Sequence, residues 1–417
     1  MYLRQGWQSS FLRAVTMLSG GSGVALAVPV LAAPILGRLY TPADYGALAQ
    51  YMGPAAVLAV LASLQFQHAI IAEKADRGAG SAVWLVVLST LVAAGLTALI
   101  VAALWAPVLT GTAAGPWFVV LPLNVAGTGV IASGTFLANR HRRYRFIILV
   151  QIGSTLTTVA MSIILGLLSW GANGLLSAYF LGQAVQTLGY LWLLRSFRTT
   201  LWPRPSARRL RALVRRHWKF PVYTLPSEFS GQVNMQVPIF VLSALGADAT
   251  LGAFTRARQL VSMPVTVVGG SVAQVFRREA AEMYRNTGSC RVLMLRTAGW
   301  LLAVGLGPCV LFMLLAPWLF TTYLGTAWRE AGEIARILAP MLLLRLIVSP
   351  LTTVFYFTGT QALDLQLMIG STVLMAFCLG LGWTIGGTAL SIVWAFSGGY
   401  GAIYLMYIIA TFKVAAP

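Results

Sequence analysis

Acidic residues are scarce. The 417-residue chain holds ten aspartates and glutamates against 29 lysines and arginines, and charged residues of either sign make up only 9% of it. A water-soluble domain carries roughly 25% charged residues, so an ordinary solvated surface is excluded. Lysine is rarer still, with only Lys74, Lys219 and Lys413 beside 26 arginines. With abundant alanine and glycine, that imbalance reads as the base composition of a GC-rich genome. Cysteine and histidine number three each. Cys290, Cys309 and Cys378 form neither a CxxC pair nor a disulfide framework. His68, His141 and His217 are too dispersed for a metal cluster, so no metal site is expected. The chain also lacks GxxxxGK[ST], HExxH, GxSxG and any paired-carboxylate motif. An ATP-driven pump carrying its own motor is therefore excluded. With outer loops as short as these, the longest about 316–330, an enzyme is not expected.

What the chain has in excess is apolar length. Hydrophobic residues make up 58% and the mean hydropathy is +0.79. A single aqueous core stops growing near about 250–300 residues, so the second solvent is lipid. A spanning helix needs about 20 mostly apolar residues. Such runs lie near 15–36, 46–70, 82–105, 117–138, 147–168 and 174–194. After a polar gap they resume near 221–245, 252–276, 292–314, 331–357, 365–384 and 388–410. The pattern predicts an all-α integral membrane protein of about twelve transmembrane helices, since runs of this length do not show the alternation of barrel strands. The first run is too long for a signal-peptide core and is expected to be retained.

The formal charge of +19 is scattered over short loops rather than gathered on one face, which argues against nucleic acid as a partner. It is distributed asymmetrically instead. With the N-terminus inside, 22 lysines and arginines fall on the cytoplasmic side and two, Arg38 and Arg329, outside; five lie within spans. The positive-inside bias places both termini in the cytoplasm of an inner-membrane protein.

The stretch Arg195–Phe220 divides six spans from six, giving lobes at 1–194 and 221–417 with a basic linker at 195–220 between them. In the linker Leu210, Leu213, Val214 and Trp218 share one helical face and arginines occupy the rest. Such a helix suits an anionic lipid surface, and equally a solvated linker. The lobes look alike. Tyr45-Gly46-Ala47 begins the second span and Leu251-Gly252-Ala253 the eighth, and the first helix of each half carries interior prolines: Pro29 and Pro34, Pro226 and Pro238. An even span count makes this a parallel repeat about an axis along the membrane normal. Matching interruptions point to a transport site between halves, although proline is common in membrane helices generally. Thr41-Pro42-Ala43-Asp44 reads as a helix start, with Thr41 capping, Pro42 at the first helical position and Asp44 reaching back.

The remaining chemistry is intramembrane charge. Arg256 and Arg258 in the eighth span, Arg296 in the ninth, and Arg336 and Arg345 in the tenth face one acid within a span, Glu228. An arginine at mid-depth costs roughly 2.5–3.5 kcal/mol, so Arg345 should face a wet cavity or a partner. Arg256, Arg258, Arg336 and especially Arg296 could instead snorkel to an interface. Arg256 and Arg258 lie about 200° apart on a helix and should not line one cavity. The surplus of guanidinium suits a phosphate-bearing ligand, held bidentately. Gln232, Asn234 and Gln236 give the seventh span a polar interior for sugar hydroxyls or for helix–helix bonds. Glu228 is a candidate proton or sodium coupling site, or one half of a structural Glu–Arg pair.

Three segments carry a resemblance. Arg38-Leu-Tyr-Thr-Pro-Ala-Asp-Tyr-Gly46 resembles the outer loop after the first helix of bacterial lipid-linked oligosaccharide flippases, the O-antigen and exopolysaccharide exporters of the MATE-like MOP superfamily. Phe220-Pro-Val-Tyr-Thr-Leu-Pro-Ser-Glu228 resembles the start of their seventh helix. Gly252-Ala-Phe-Thr-Arg-Ala-Arg258, with Pro264 and Gln274-Val-Phe-Arg-Arg-Glu-Ala-Ala281, resembles their eighth helix and its exit. The likeness covers most of the chain and is strongest over about 10–75 and 215–285. It implies two six-helix lobes around a cationic central cavity worked by alternating access, and an undecaprenyl-pyrophosphate-linked glycan as cargo. It also implies proton or sodium coupling without a bound cofactor, and polysaccharide polymerase or assembly proteins as partners. Arg258 matches the family's usual arginine; Arg256 is a departure, consistent with an acidic glycan; Glu228 lies where members vary. The rivals are a MATE-like multidrug/cation antiporter, which needs an acid-lined cavity, a membrane-bound glycan polymerase, and a non-transporting scaffold of a polysaccharide assembly complex.

Overall fold

The computed structural model describes residues 27–105, 114–197, 205–358 and 360–415, together with Gly23, Ala25, Gly111 and Thr112. Every regular element among them is helical. The α-helices are α1 (Ala33–Leu39), α2 (Pro42–Ala62), α3 (Gln67–Ala72), α4 (Asp76–Leu104), α5 (Leu121–Arg140), α6 (Tyr144–Leu167), α7 (Gly171–Ser196) and α8 (Ala207–Arg216). There follow α9 (Leu225–Ala244), α10 (Asp248–Thr287), α11 (Arg291–Leu324), α12 (Arg329–Leu351), α13 (Val354–Phe357), α14 (Gln361–Gly386) and α15 (Ala389–Val414).

Nine helical segments among the described residues are long and apolar enough to cross a membrane. Two more of the expected spans, α7 and α9, are continuous helices of 26 and 20 residues, about 39 and 30 Å long at 1.5 Å per residue, but carry more glycine, asparagine and glutamine. The expected first span is described only in its latter part, where α1 begins after a break at Ala32. The protein is thus a multi-pass, all-helical membrane protein. Its outward faces agree with that: Leu99, Leu123, Leu314 and Ile385 are exposed, which suits hydrocarbon and not water.

Several boundaries differ from the apolar runs. The second run breaks after α2 because Leu64 and Gln65 take positive φ values of 47° and 61°, and α3 restarts the chain. The tenth run breaks between α12 and α13. Conversely α10 continues to Thr287, 40 residues in all, because its polar end, Arg277 to Arg285, still favours a helix although it is unsuited to lipid. Gly288 ends it in the left-handed conformation, φ 74°. The Thr41 cap is present: Thr41 N and Oγ1 both donate to Asp44 Oδ2 at 2.8 Å, and Asp44 N donates to Thr41 Oγ1 at 3.3 Å.

The chain divides into two compact units, residues 1–40 with 50–233 and residues 41–49 with 234–417. Thr41 and the first eight residues of α2 group with the later helices, and α9 is divided at 233/234. The core of the first unit gathers Phe66, Ile70, Val83, Val86, Leu137 and Leu213. That of the second gathers Phe276, Met294, Leu301, Leu346, Ile347 and Leu351. In the second unit α12 is the central helix, two-thirds buried over its apolar window, whereas α11 is 11% buried and lies at the periphery.

Within the second unit the two look-alike segments pack on each other. A Cβ at Gly46 would collide with the Asp248 carbonyl, and one at Gly252 with the Pro42 carbonyl and the Gly46 nitrogen. The first turns of α2 and α10 therefore cross backbone on backbone, an approach only glycine permits.

Candidate functional site

Arg258 and Arg345 interact electrostatically. Arg258 sits on α10, its guanidinium 5.3 Å from the centre of the Phe254 ring and its Nη1 donating to the Met235 carbonyl at 2.7 Å. Arg345, half-buried on the central helix α12, lies within electrostatic reach of Arg258, and both lie beside Tyr400 of α15. Arg345 is also beside Tyr404, whose ring centre is 5.5 Å from that of Tyr400. No described carboxylate forms a salt bridge with either arginine. Two guanidiniums share a partly buried region among phenol hydroxyls, and no described residue supplies a counter-charge at salt-bridge distance. Such a site attracts anions, and phosphate oxygens fit the donor geometry.

Arg256 points elsewhere, as the 200° offset requires. It is 3% exposed, its guanidinium stacks 4.8 Å from the Tyr45 ring centre, and Nη1 donates to Gln259 Oε1 at 3.0 Å. Nε and Nη2 find no partner. Tyr45 in turn meets Trp328 edge-on at 5.3 Å. Arg336 is exposed on α12, with Nη2 3.4 Å from the Leu314 carbonyl of α11. Arg296 is also exposed.

The polar residues of the seventh span separate. Asn234 is buried and donates to Thr372 Oγ1 of α14 at 2.9 Å, a helix–helix bond. Gln236 is half-buried with Oε1 unpaired. Gln232 is half-buried and belongs to the first unit, the other two to the second. Glu228 is exposed at the start of α9; it interacts with His68, and among the described residues no arginine pairs with it.

Sequence reading missed four residues here. Tyr400, Tyr404 and Tyr407 recur at intervals of four and three along α15, one face of a helix, a signal present in the run YGAIYLMY. Asp364 falls one residue before the apolar run of the eleventh span; the helix starts earlier, at Gln361, and takes the acid in. An apolar cavity of about 180 Å³ lies on the same two helices and α11. Val261, Pro264, Pro308, Phe312, Leu342 and Leu346 are among its lining, from α10, α11 and α12. Val261 follows Arg258 by one turn, and Leu342 and Leu346 flank Arg345.

Between the two six-span stretches, α8 is fastened within the first unit. Ser206 caps it, Leu213 is buried and Leu210 packs on the same cluster, while Val214 and Trp218 stay exposed. The expected single apolar face is thus split, because residues 210, 213 and 217 turn inward and 214 and 218 lie one strip over. His217 Nε2 meets Glu73 Oε1 at 2.8 Å and Arg216 the same oxygen at 3.3 Å. Arg140 braces the Glu73 segment through the Ile70 and Lys74 carbonyls and Asp76.

Comparisons with known proteins place this geometry. The fold is similar to that of a multidrug resistance MATE family transporter of the MOP superfamily in its inward-facing conformation, at 17% identity and a TM-score of 0.69 over 96% of this chain and 95% of that one. The outward-facing conformation of such a transporter aligns at 18% identity and 0.60, over 96% and 95%. A MOP superfamily transporter from Pyrococcus furiosus, reported with a binding pocket of reverse polarity that suggests a different function, aligns at 18% and 0.59, over 97% and 96%. No curated protein matches. The model of a family described as "Polysaccharide biosynthesis protein" matches residues 35–333. The chain, a helical membrane protein of MATE-like fold, therefore belongs to that polysaccharide biosynthesis family.

Proposed function

We propose that this protein is a flippase that carries an undecaprenyl-pyrophosphate-linked oligosaccharide repeat unit across the inner membrane for O-antigen or exopolysaccharide synthesis, by alternating access. The observation that carries the reading is the Arg258–Arg345 pair: two neighbouring guanidiniums without a carboxylate at salt-bridge distance. The diphosphate of the cargo supplies the missing counter-charge. The apolar cavity on the same helices suits the first isoprene units, so α10 and α12 carry surfaces for both halves of an isoprenoid diphosphate. The glycan's hydroxyls keep their water, since dehydrating each would cost several kcal/mol. No catalytic residue is assigned.

Orientation in this reading has both termini in the cytoplasm. The exposed arginines of α8, with Val214 and Trp218 beside them, lie on anionic phospholipid headgroups, and polysaccharide assembly proteins take the cargo onward. A multidrug antiporter for cationic compounds is disfavoured by the same uncompensated arginines.

A strain lacking the gene, complemented with variants, tests the proposal. Loss of the protein should leave lipid-linked repeat units accumulated on the inner leaflet. Arg345→Ala should reproduce that at normal protein abundance. Elongated glycan found inside would instead indicate a polymerase defect, and no accumulation would indicate a scaffold.

A further inference from the structure

Within the second unit α10 and α11 both pack along α12 and hardly touch each other. The gap between them holds two cavities in succession. The apolar one of about 180 Å³ has buried Ala339, Leu342 and Leu346 of α12 as its floor and exposed Val268 and Val304 at its rims. One turn farther along α10, and two turns back along α11, lies a second of about 330 Å³, lined by Ser271, Val272, Val275, Phe276, Glu279 and Thr297. Val261 to Val268 straddle the middle of the apolar run 252–276, whereas Glu279 lies about one turn beyond its polar end. Val261 and Ser271 are ten residues apart, about 15 Å of helix and half of the roughly 30 Å of hydrocarbon. The trench therefore runs from headgroup level to the middle of the bilayer, the depth of one leaflet. Its chemistry changes along that depth, from a lining that is apolar apart from Cys309 to a carboxylate and two hydroxyls. Glu279 is exposed and pairs with no described cation; Arg278 beside it, and Arg296 beside Thr297, are exposed and pair with no described acid.

We propose that this trench binds one phospholipid with a primary-amine headgroup, phosphatidylethanolamine, from the leaflet at the polar end of α10. One acyl chain lies between α10 and α11 and ends in the apolar cavity, where an empty space would cost the lining its dispersion contacts. The ammonium, with three hydrogens to donate, meets the Glu279 carboxylate and the Thr297 hydroxyl. Arg278 and Arg296 flank the phosphate. The order of charges selects the occupant. The acid belongs to the lining and the arginines stand beside it, so an amine enters where an anionic headgroup would meet a carboxylate. A choline headgroup carries the same charge but has no N–H to donate. The site stands without the transport reading; within that reading, the lipid holds the cavity until the first isoprene units displace its chain.

The test is native mass spectrometry of the full chain released from detergent and titrated with phosphatidylethanolamine, phosphatidylcholine and phosphatidylglycerol of identical acyl chains. Wild type should bind one ethanolamine lipid about tenfold more tightly than either of the others, the order of one charge-assisted hydrogen bond. Glu279→Gln, at an exposed position, should erase that preference and leave thermal unfolding without added lipid unchanged. Val268→Trp, which fills the deep cavity from its rim, should weaken all three lipids alike by about tenfold, the order of about ten lost atom–atom contacts. Equal affinities in wild type, or a preference that survives Glu279→Gln, would overturn the proposal. So would tighter binding of the glycerol lipid, which would mark a site for anionic lipid, or indifference to Val268→Trp, which would put the chain outside the trench. No cargo enters the experiment, so neither result bears on the diphosphate reading.

Discussion

Arg258 and Arg336 differ less in sequence than in what they touch. Both sit inside apolar runs, yet one meets a second guanidinium and a phenol while the other is exposed against the Leu314 carbonyl. Loss of a charge-assisted hydrogen bond costs about 1.5–3 kcal/mol. Arg258→Ala and Arg345→Ala should therefore each lower transport by roughly ten- to a hundredfold, with Lys retaining part because it keeps the charge but not the fork. Arg336→Ala should leave transport within about twofold, since an exposed polar contact is worth little. Initial rates in proteoliposomes of matched protein content check all three. At Arg256 the structure presents a different situation: a buried cation held by an aromatic ring and one glutamine, with Nε and Nη2 unpartnered. Tyr45→Phe, which keeps the ring, should preserve stability better than Tyr45→Ala, by about 1–2 kcal/mol if the cation–π contact is as desolvated as its burial indicates; thermal unfolding of the purified variants measures this.

Among the elements, the crossing of α2 and α10 is the most exacting contact. Gly252→Val would drive a side chain into the Pro42 carbonyl and the Gly46 nitrogen. Overpacking costs about 1–3 kcal/mol where side chains can yield, and here the obstacle is backbone, so the expected result is loss of folded protein by size-exclusion of the detergent extract. Gly270→Ala on the same helix, where nothing lies within 4 Å, should be neutral. The repeated Tyr-Gly-Ala and Leu-Gly-Ala segments were visible as a repeat. That their glycines meet each other was not, because a repeat shows equivalence and says nothing of contact. Helix existence was legible because apolar length decides it; helix ends were not, since the break at Leu64–Gln65 and the continuation of α10 to Thr287 turn on backbone conformation and helix propensity rather than hydropathy. The arginines of the site were legible as charge out of place. Tyr400, Tyr404 and Asp364 were passed over because tyrosine is unremarkable in a membrane helix and the acid sits at an apolar run's edge.

At the scale of the molecule, scarcity of acid is the organising fact. Ten carboxylates serve 29 cations, and several of the acids are committed to structure: Asp44 to the α2 cap, Glu73 to His217 and Arg216, Asp76 to Arg140. Of the arginines left over, several decorate α8, while Arg258 and Arg345 lie beside Tyr400. In the proposed reading that distribution suits an anionic cargo and not a cationic one. The deciding measurement is the movement of a fluorescent undecaprenyl-diphosphate oligosaccharide between leaflets of proteoliposomes, followed by quenching of the outer leaflet. The wild-type chain should move the inner pool outward well above the rate of empty vesicles, and Arg258→Ala/Arg345→Ala should fall back to it. Equal rates for wild type and the double variant, or transport of a lipophilic cation in place of the diphosphate, would contradict the account.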